Sequence, residues 1–313
     1  LFMLCGRVAG LLAFGDTSKV AMMMNALSAL MSAFTILFLF WTITHLARKL
    51  VIKAQEEEFD LPGLLLVIGS GVVGALAYTF SDTFWFSAVE GEVYASSSFF
   101  TAIVFWAILK WEDSADKPFS NRWIILIAYL MGLSIGIHLL NLLAIPAIVF
   151  VYYFKKYPVT RKGIILALIT SVIILASVMY GIISGLITVA SWFELAFVNG
   201  FGAPYNSGVA FYALLVLGGF IIGIFYTYKK KIVLWNTVLV SVLVIIIGYS
   251  SYAMIVIRSL AEPPINENRP SNVFYLLSYL NREQYGDRPL LYGQYYNAQP
   301  VDMKEGKTIY APL

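Results

Sequence analysis

A chain of 313 residues that is 60% hydrophobic and 12% charged, with a mean hydropathy of +0.79, has more apolar surface than a soluble fold can hide. The formal charge of +3 does not mark a nucleic-acid binder, because the basic residues punctuate the chain instead of gathering on one face. The single cysteine, Cys5, excludes an intrachain disulfide and a cysteine-built metal site.

Thirteen of the 21 Lys and Arg residues fall in four short stretches. These are Arg48, Lys49 and Lys53; Lys110, Lys117 and Arg122; Lys155, Lys156, Arg161 and Lys162; and Lys229, Lys230 and Lys231. Each is separated from the next by room for two apolar crossings. Basic residues near membrane ends stay on the cytoplasmic side, so this pattern predicts both the spans and their orientation. The remaining conspicuous polar residues then fall on the opposite face. The expected class is an all-α polytopic membrane protein.

In chain order, residues 1–14 read as an apolar remnant of a chain whose beginning is missing. They hold no initiator methionine, basic lead or small-residue cleavage site. The first crossing, Val20–Leu46, is introduced by the N-cap candidates Asp16, Thr17 and Ser18 and runs inward to Arg48 and Lys49. The acidic run Glu56–Glu58 follows. Leu61–Thr79 then leads outward, with Gly69, Gly71 and Gly74 to let a neighbouring helix come close. The chain surfaces at Ser81–Phe86 and returns through Val93–Leu109 to the loop Lys110–Arg122. A hairpin lies within Trp123–Phe154, and Ile164–Leu186 leads out to an outer loop, Ile187–Gly208. Val209–Tyr228 leads in, and Ile232–Ile257 leads out for the last time. The expectation is about eight crossings. A transmembrane domain would cover 1–257, and a polar, Tyr-rich extracytoplasmic extension 258–313.

The hairpin is too short for the bilayer. Its 32 or so residues make about 48 Å of helix at roughly 1.5 Å each, whereas two crossings need about 60 Å. Its turn, His138-Leu139-Leu140-Asn141, is therefore expected below the outer surface, with Pro146 just beyond weakening the helix. Polar groups at that depth need protein or a watery cavity beside them, which places His138 and Asn141 at the floor of a recess. Local thinning of the bilayer is the alternative.

The outer carboxylates on this topology include Asp16, Asp82, Glu90, Glu92 and Glu194. The stretch Ser81–Tyr94 is densest: Asp82, Glu90 and Glu92 sit among aromatics, where they could hold a divalent cation or serve as a general base. Gly91 suggests a bend between the two glutamates. The plainer reading is an aromatic anchor, Phe84-Trp85-Phe86, with acids facing water. His138 could orient a nucleophile, bind a metal or contact phosphate, or be a hydrogen-bonded structural residue. Arg258 closes the last crossing on the outer side, where a guanidinium could clamp a phosphate or merely snorkel. Trp192-Phe193-Glu194 repeats the aromatic-plus-acid theme, and 199–208 is turn-rich. Phosphate-loop, dinucleotide, nucleophile-elbow and zinc-protease motifs are absent from the sequence.

Three stretches carry a resemblance: Ser81–Tyr94, Gly132–Asn141 and Pro263-Pro264-Ile265-Asn266-Glu267-Asn268. They resemble a bacterial multi-pass membrane family of uncharacterised function, related to the GT-C glycosyltransferases and to an animal transmembrane protein O-mannosyltransferase. The resemblance implies a GT-C-like helical bundle in a bacterial inner membrane. It also implies transfer of a sugar from a polyprenyl-phosphate donor to an extracytoplasmic protein or glycan acceptor. Asp82, Glu90 and Glu92 would then be supporting catalytic acids, and His138, Asn141 and Arg258 substrate-binding residues. GT-C enzymes usually carry their key acid in the first outer loop, which is expected upstream of Leu1. Two readings from other classes stand beside this one. They are a transporter or lipid flippase using the recess, and an envelope scaffold using residues 258–313 as its partner surface.

Overall fold

The computed structural model describes residues 1–51, 60–286, 291–299, 302 and 310. Lys53 and the acidic run Glu56–Glu58 lie outside the described residues. The regular elements of the described chain are all helical: α1 Phe2–Leu11, α2 Val20–Val51, α3 Leu61–Thr79, α4 Asp82–Val89, α5 Val93–Ser114, α6 Asn121–Ile135 and α7 Ile145–Lys156. There follow α8 Arg161–Ala176, α9 Leu186–Leu195, α10 Ser207–Lys229, α11 Val233–Tyr249, α12 Ala253–Leu260 and α13 Val273–Leu280. Seven helical stretches among the described residues are long and apolar enough to cross a membrane. The protein is a polytopic helical membrane protein.

The expected eighth crossing is α6, which has only 15 residues and reaches about 22 Å at 1.5 Å per residue. It is the first arm of the short hairpin. The turn joins α6 to α7 through a 3-10 segment, Leu139–Ala144. Pro146 occupies the first turn of α7, where a missing N–H costs nothing, so it starts the helix instead of weakening it.

Two further differences concern outer loops. Residues 82–89 are helical because Ser81 stands in extended conformation as an N-cap and no breaker follows until Gly91. The expected loop Ile187–Gly208 is mostly helix as well. The chain stays helical through Gly200, by way of π-helical turns at Ser177–Gly185 and Ala196–Gly200, leaving only 201–206 as a connection. The aromatics and acid at 192–194 fit an interfacial loop by composition, but nothing between Ile187 and Val198 interrupts a helix.

The described chain forms two compact units, residues 1–176 with 220–252, and residues 177–219 with 253–313. In the first unit α2 turns Ser28, Ser32, Thr35 and Thr42 inward and leaves Leu30, Phe34 and Leu37 on its exposed face. Small hydroxyl residues let helices approach, while the lipid-facing side needs only to be apolar. Gly71 and Gly74 of α3 do meet α2, at Phe40, Thr44 and Ile43, while Gly69 faces open space. The closest approach joins α6 to α11. A Cβ on Gly132 would sit 2.7 Å from Ile245 Cα, and one on Gly248 would sit 2.6 Å from the Gly132 carbonyl carbon.

One end of this unit collects the basic turns. Lys49 pairs with Glu112 at 2.5 Å and His45 faces Asp113 at 3.5 Å. Asp116 accepts from Lys156 at 2.9 Å and faces Lys155 at 3.4 Å. Asn121 donates to Thr237 at 3.1 Å, tying the start of α6 to the start of α11. These contacts draw together the C-terminal ends of α2, α5 and α7 and the N-terminal ends of α6 and α11.

Candidate functional site

The opposite end of the same unit carries the acidic segment. Asp82 is exposed in the first turn of α4. The aromatic trio divides. Phe84 is buried with its ring 4.4 Å from that of Tyr78, whereas Trp85 and Phe86 face outward and Trp85 stacks on Phe80. Two of the three rings thus face outward, as an anchor would require, and the third packs inside.

After α4 the chain bends at Glu90-Gly91-Glu92, as Gly91 suggested. The Glu92 N–H donates to the Glu90 carbonyl at 2.8 Å, closing a three-residue turn, and both glutamates are exposed. A Cβ on Gly91 would lie 3.3 Å from Asn25 Oδ1 and 3.4 Å from Met24 Cβ, so the turn rests on the first part of α2. Two residues later, at the start of α5, the Tyr94 ring lies 5.7 Å from the imidazole of His138. This contact brings the Ser81–Tyr94 stretch against the Gly132–Asn141 stretch.

His138 caps the 3-10 segment. Its backbone is extended, its N–H donates to the Ser134 carbonyl at 2.8 Å, and its Nδ1 accepts from the Leu140 N–H at 3.1 Å. An acceptor Nδ1 leaves the neutral ring's proton on Nε2, which is the end free to donate. The ring is half-buried. Asn141 does not share a helical face with it, because the helix does not continue through 136–138. It is fully buried and donates through Nδ2 to Ser134 Oγ at 2.9 Å, and that hydroxyl donates to the Met131 carbonyl at 2.7 Å. In this conformation Asn141 holds the turn to α6.

Arg258 is exposed in the last turn of α12, in the second unit. The acid of Trp192-Phe193-Glu194 is not a surface carboxylate. Glu194 is 5% exposed and accepts from the backbone N–H groups of Asn206 at 2.5 Å and Val209 at 3.1 Å, capping α10 from outside it. No three His, Cys, Asp or Glu side chains among the described residues lie close enough to share a metal ion, so Asp82, Glu90 and Glu92 do not form a ready cation cage. Tyr94 and Ser134 are the residues whose roles sequence reasoning missed. Both lie inside the stretches it singled out, but a tertiary contact and a buried hydroxyl have no local signature.

The parts present are an imidazole N–H donor with an aromatic ring against it, and two exposed carboxylates on the tight turn that precedes that aromatic residue. Such a set can accept a proton from a hydroxyl and donate to an oxyanion. The model of one protein family, described as the protein O-mannosyl-transferase TMEM260 N-terminal domain, matches residues 1–161. That range contains Asp82, Glu90, Glu92, Tyr94, His138 and Asn141, and excludes Arg258. No curated protein and no solved structure matches the chain.

Proposed function

This chain belongs to the family of the protein O-mannosyl-transferase TMEM260 N-terminal domain, and on that premise we propose that it transfers a sugar from a polyprenyl-phosphate donor to a protein or glycan hydroxyl outside the cytoplasm. Membership alone makes it a membrane protein of a glycosyltransferase family. The observation that carries the finer reading is the packing of Tyr94 on His138. It joins the carboxylate-bearing turn to an imidazole donor at the end of the first unit away from the lysine-bearing turns. The positive-inside rule supports an extracytoplasmic position for that end.

In the reaction proposed, a carboxylate takes the proton of the acceptor hydroxyl as its oxygen attacks the anomeric carbon. Asp82, Glu90 and Glu92 are proposed as supporting acids in that step, the last two lying just before Tyr94 in the chain. The bond from that carbon to the donor phosphate breaks, and the phosphate leaves with the electron pair. His138 Nε2–H donates to the departing phosphate oxygen, where charge develops in the transition state. Asn141 completes this part of the proposed substrate-binding set by holding the His138 turn in place.

Incubation of the protein in proteoliposomes with radiolabelled polyprenyl-phosphate mannose and a Ser/Thr-rich peptide tests this. Label on the peptide hydroxyl is expected. His138→Ala should lower kcat/KM about a hundredfold, the usual loss for one transition-state donor. Bound donor with no transfer to any acceptor overturns the reading.

A further inference from the structure

The second unit holds a cavity of about 310 Å³ built from the end of α9, the residues leading into α10, the end of α12 and the start of α13. Its polar groups are fixed in complementary roles. Glu194 lines it with a buried carboxylate whose charge is already met by two backbone N–H groups at the start of α10. Each carboxylate oxygen still has a lone pair, so Glu194 offers acceptors only. Asn272 spends its Oδ1 on the N–H groups of Phe274 and Tyr275, both at 3.0 Å, and keeps the two donors of its Nδ2. Asn199 lines the wall with a whole amide, donor and acceptor, and makes no side-chain hydrogen bond within the described residues. Leu260 and Phe274, whose ring lies 5.7 Å from that of Tyr310, supply apolar wall.

This set rejects most ligand classes. An anion would face the Glu194 carboxylate, and side chains already cap the first turns of both helices there. A hydrocarbon chain would bury the polar wall without hydrogen bonds. A bare cation would find this one carboxylate and no second charged ligand among the described lining residues. A ring of hydroxyls fits, because each hydroxyl both donates and accepts and the C–H faces between them can lie on Phe274. The volume is at the small end for ligand sites, about 300–1,000 Å³, and suits one ring.

We propose that this cavity binds a single neutral pyranose unit. The chemistry stands on the cavity alone; taking mannose as the first probe rests on the glycosyl-transfer reading. The test is saturation-transfer NMR on the whole chain in nanodiscs, with methyl α-mannopyranoside as ligand and cyclohexanol and a Ser-containing tripeptide as controls. Saturable millimolar binding of the pyranoside is expected, weakened about tenfold by Asn199→Ala through loss of a hydrogen bond. Phe274→Ala should weaken it by a similar factor. Binding that is unchanged in both variants, absent in the unaltered protein, or matched by cyclohexanol or the tripeptide overturns the proposal. Thermal midpoints in the same nanodiscs show whether each variant stays folded, and Asn199, which is exposed, is the one least able to disturb folding. Transfer activity is read in parallel. Pyranoside binding without transfer upholds the cavity and counts against the transferase reading, and transfer without pyranoside binding removes the cavity alone.

Discussion

Asn141 is the residue on which the short hairpin turns. It is wholly buried, and its amide reaches back to Ser134 on α6. Asn141→Ala removes that bond and should lower stability by about 1–2 kcal/mol, read as an earlier thermal midpoint in detergent. Asn141→Asp keeps the shape but brings a carboxyl group into a site with no cation, and should cost more than the alanine. Asp116 lies at the other end of the unit and is fully exposed. Hydrogen bonds from Lys156 and then Lys155 hold its carboxyl below the ordinary range. The sign follows: the pair is intact above the usual carboxylate range and is lost as pH falls through the depressed value. A 13C titration of Asp116 should therefore have its midpoint below that of an unpaired aspartate, and Lys155→Ala with Lys156→Ala should move it back up.

At the scale of elements, the hairpin and the helix that packs on it depend on one backbone-to-backbone crossing. Gly132→Leu pushes a side chain into the Ile245 backbone and should separate α6 from α11, costing about 1–3 kcal/mol or more. Gly69→Ala, facing open space in α3, is the control and should be neutral or slightly stabilising. A thermal scan of the two variants side by side decides the point. Elements of this kind were largely legible in the sequence. Spans followed from hydropathy and basic turns, and the hairpin's shortness from arithmetic on its length. What escaped were features with no local signature. Nothing in 187–200 distinguishes a membrane-edge helix from a loop once aromatics and an acid are read as interfacial. The burial of Glu194 depends on where α10 begins, and the Tyr94–His138 contact joins positions far apart in the chain. The acids Glu90 and Glu92 could be picked out as a bend, but no spacing rule could place Tyr94, just after them, against the His138 ring.

At the scale of the whole molecule, the central expectation is sidedness. In a Cys5→Ser background, Glu90→Cys should react with an impermeant maleimide added outside sealed cells. Lys230→Cys should react only after permeabilisation. Reaction of both from one compartment would remove the topology and the proposed reaction together. The distribution of polarity along α2 also bears on how any of these variants is measured. Its hydroxyl residues point inward and its greasy ones outward, so micelles and bilayers are good solvent for the separated helices too. Each helix keeps its own backbone ladder in that solvent. Heating in micelles should thus part the rods without unravelling them. Far-ultraviolet dichroism would hardly change, while tryptophan emission from the Trp41, Trp106 and Trp123 ring cluster would report the loss of assembly.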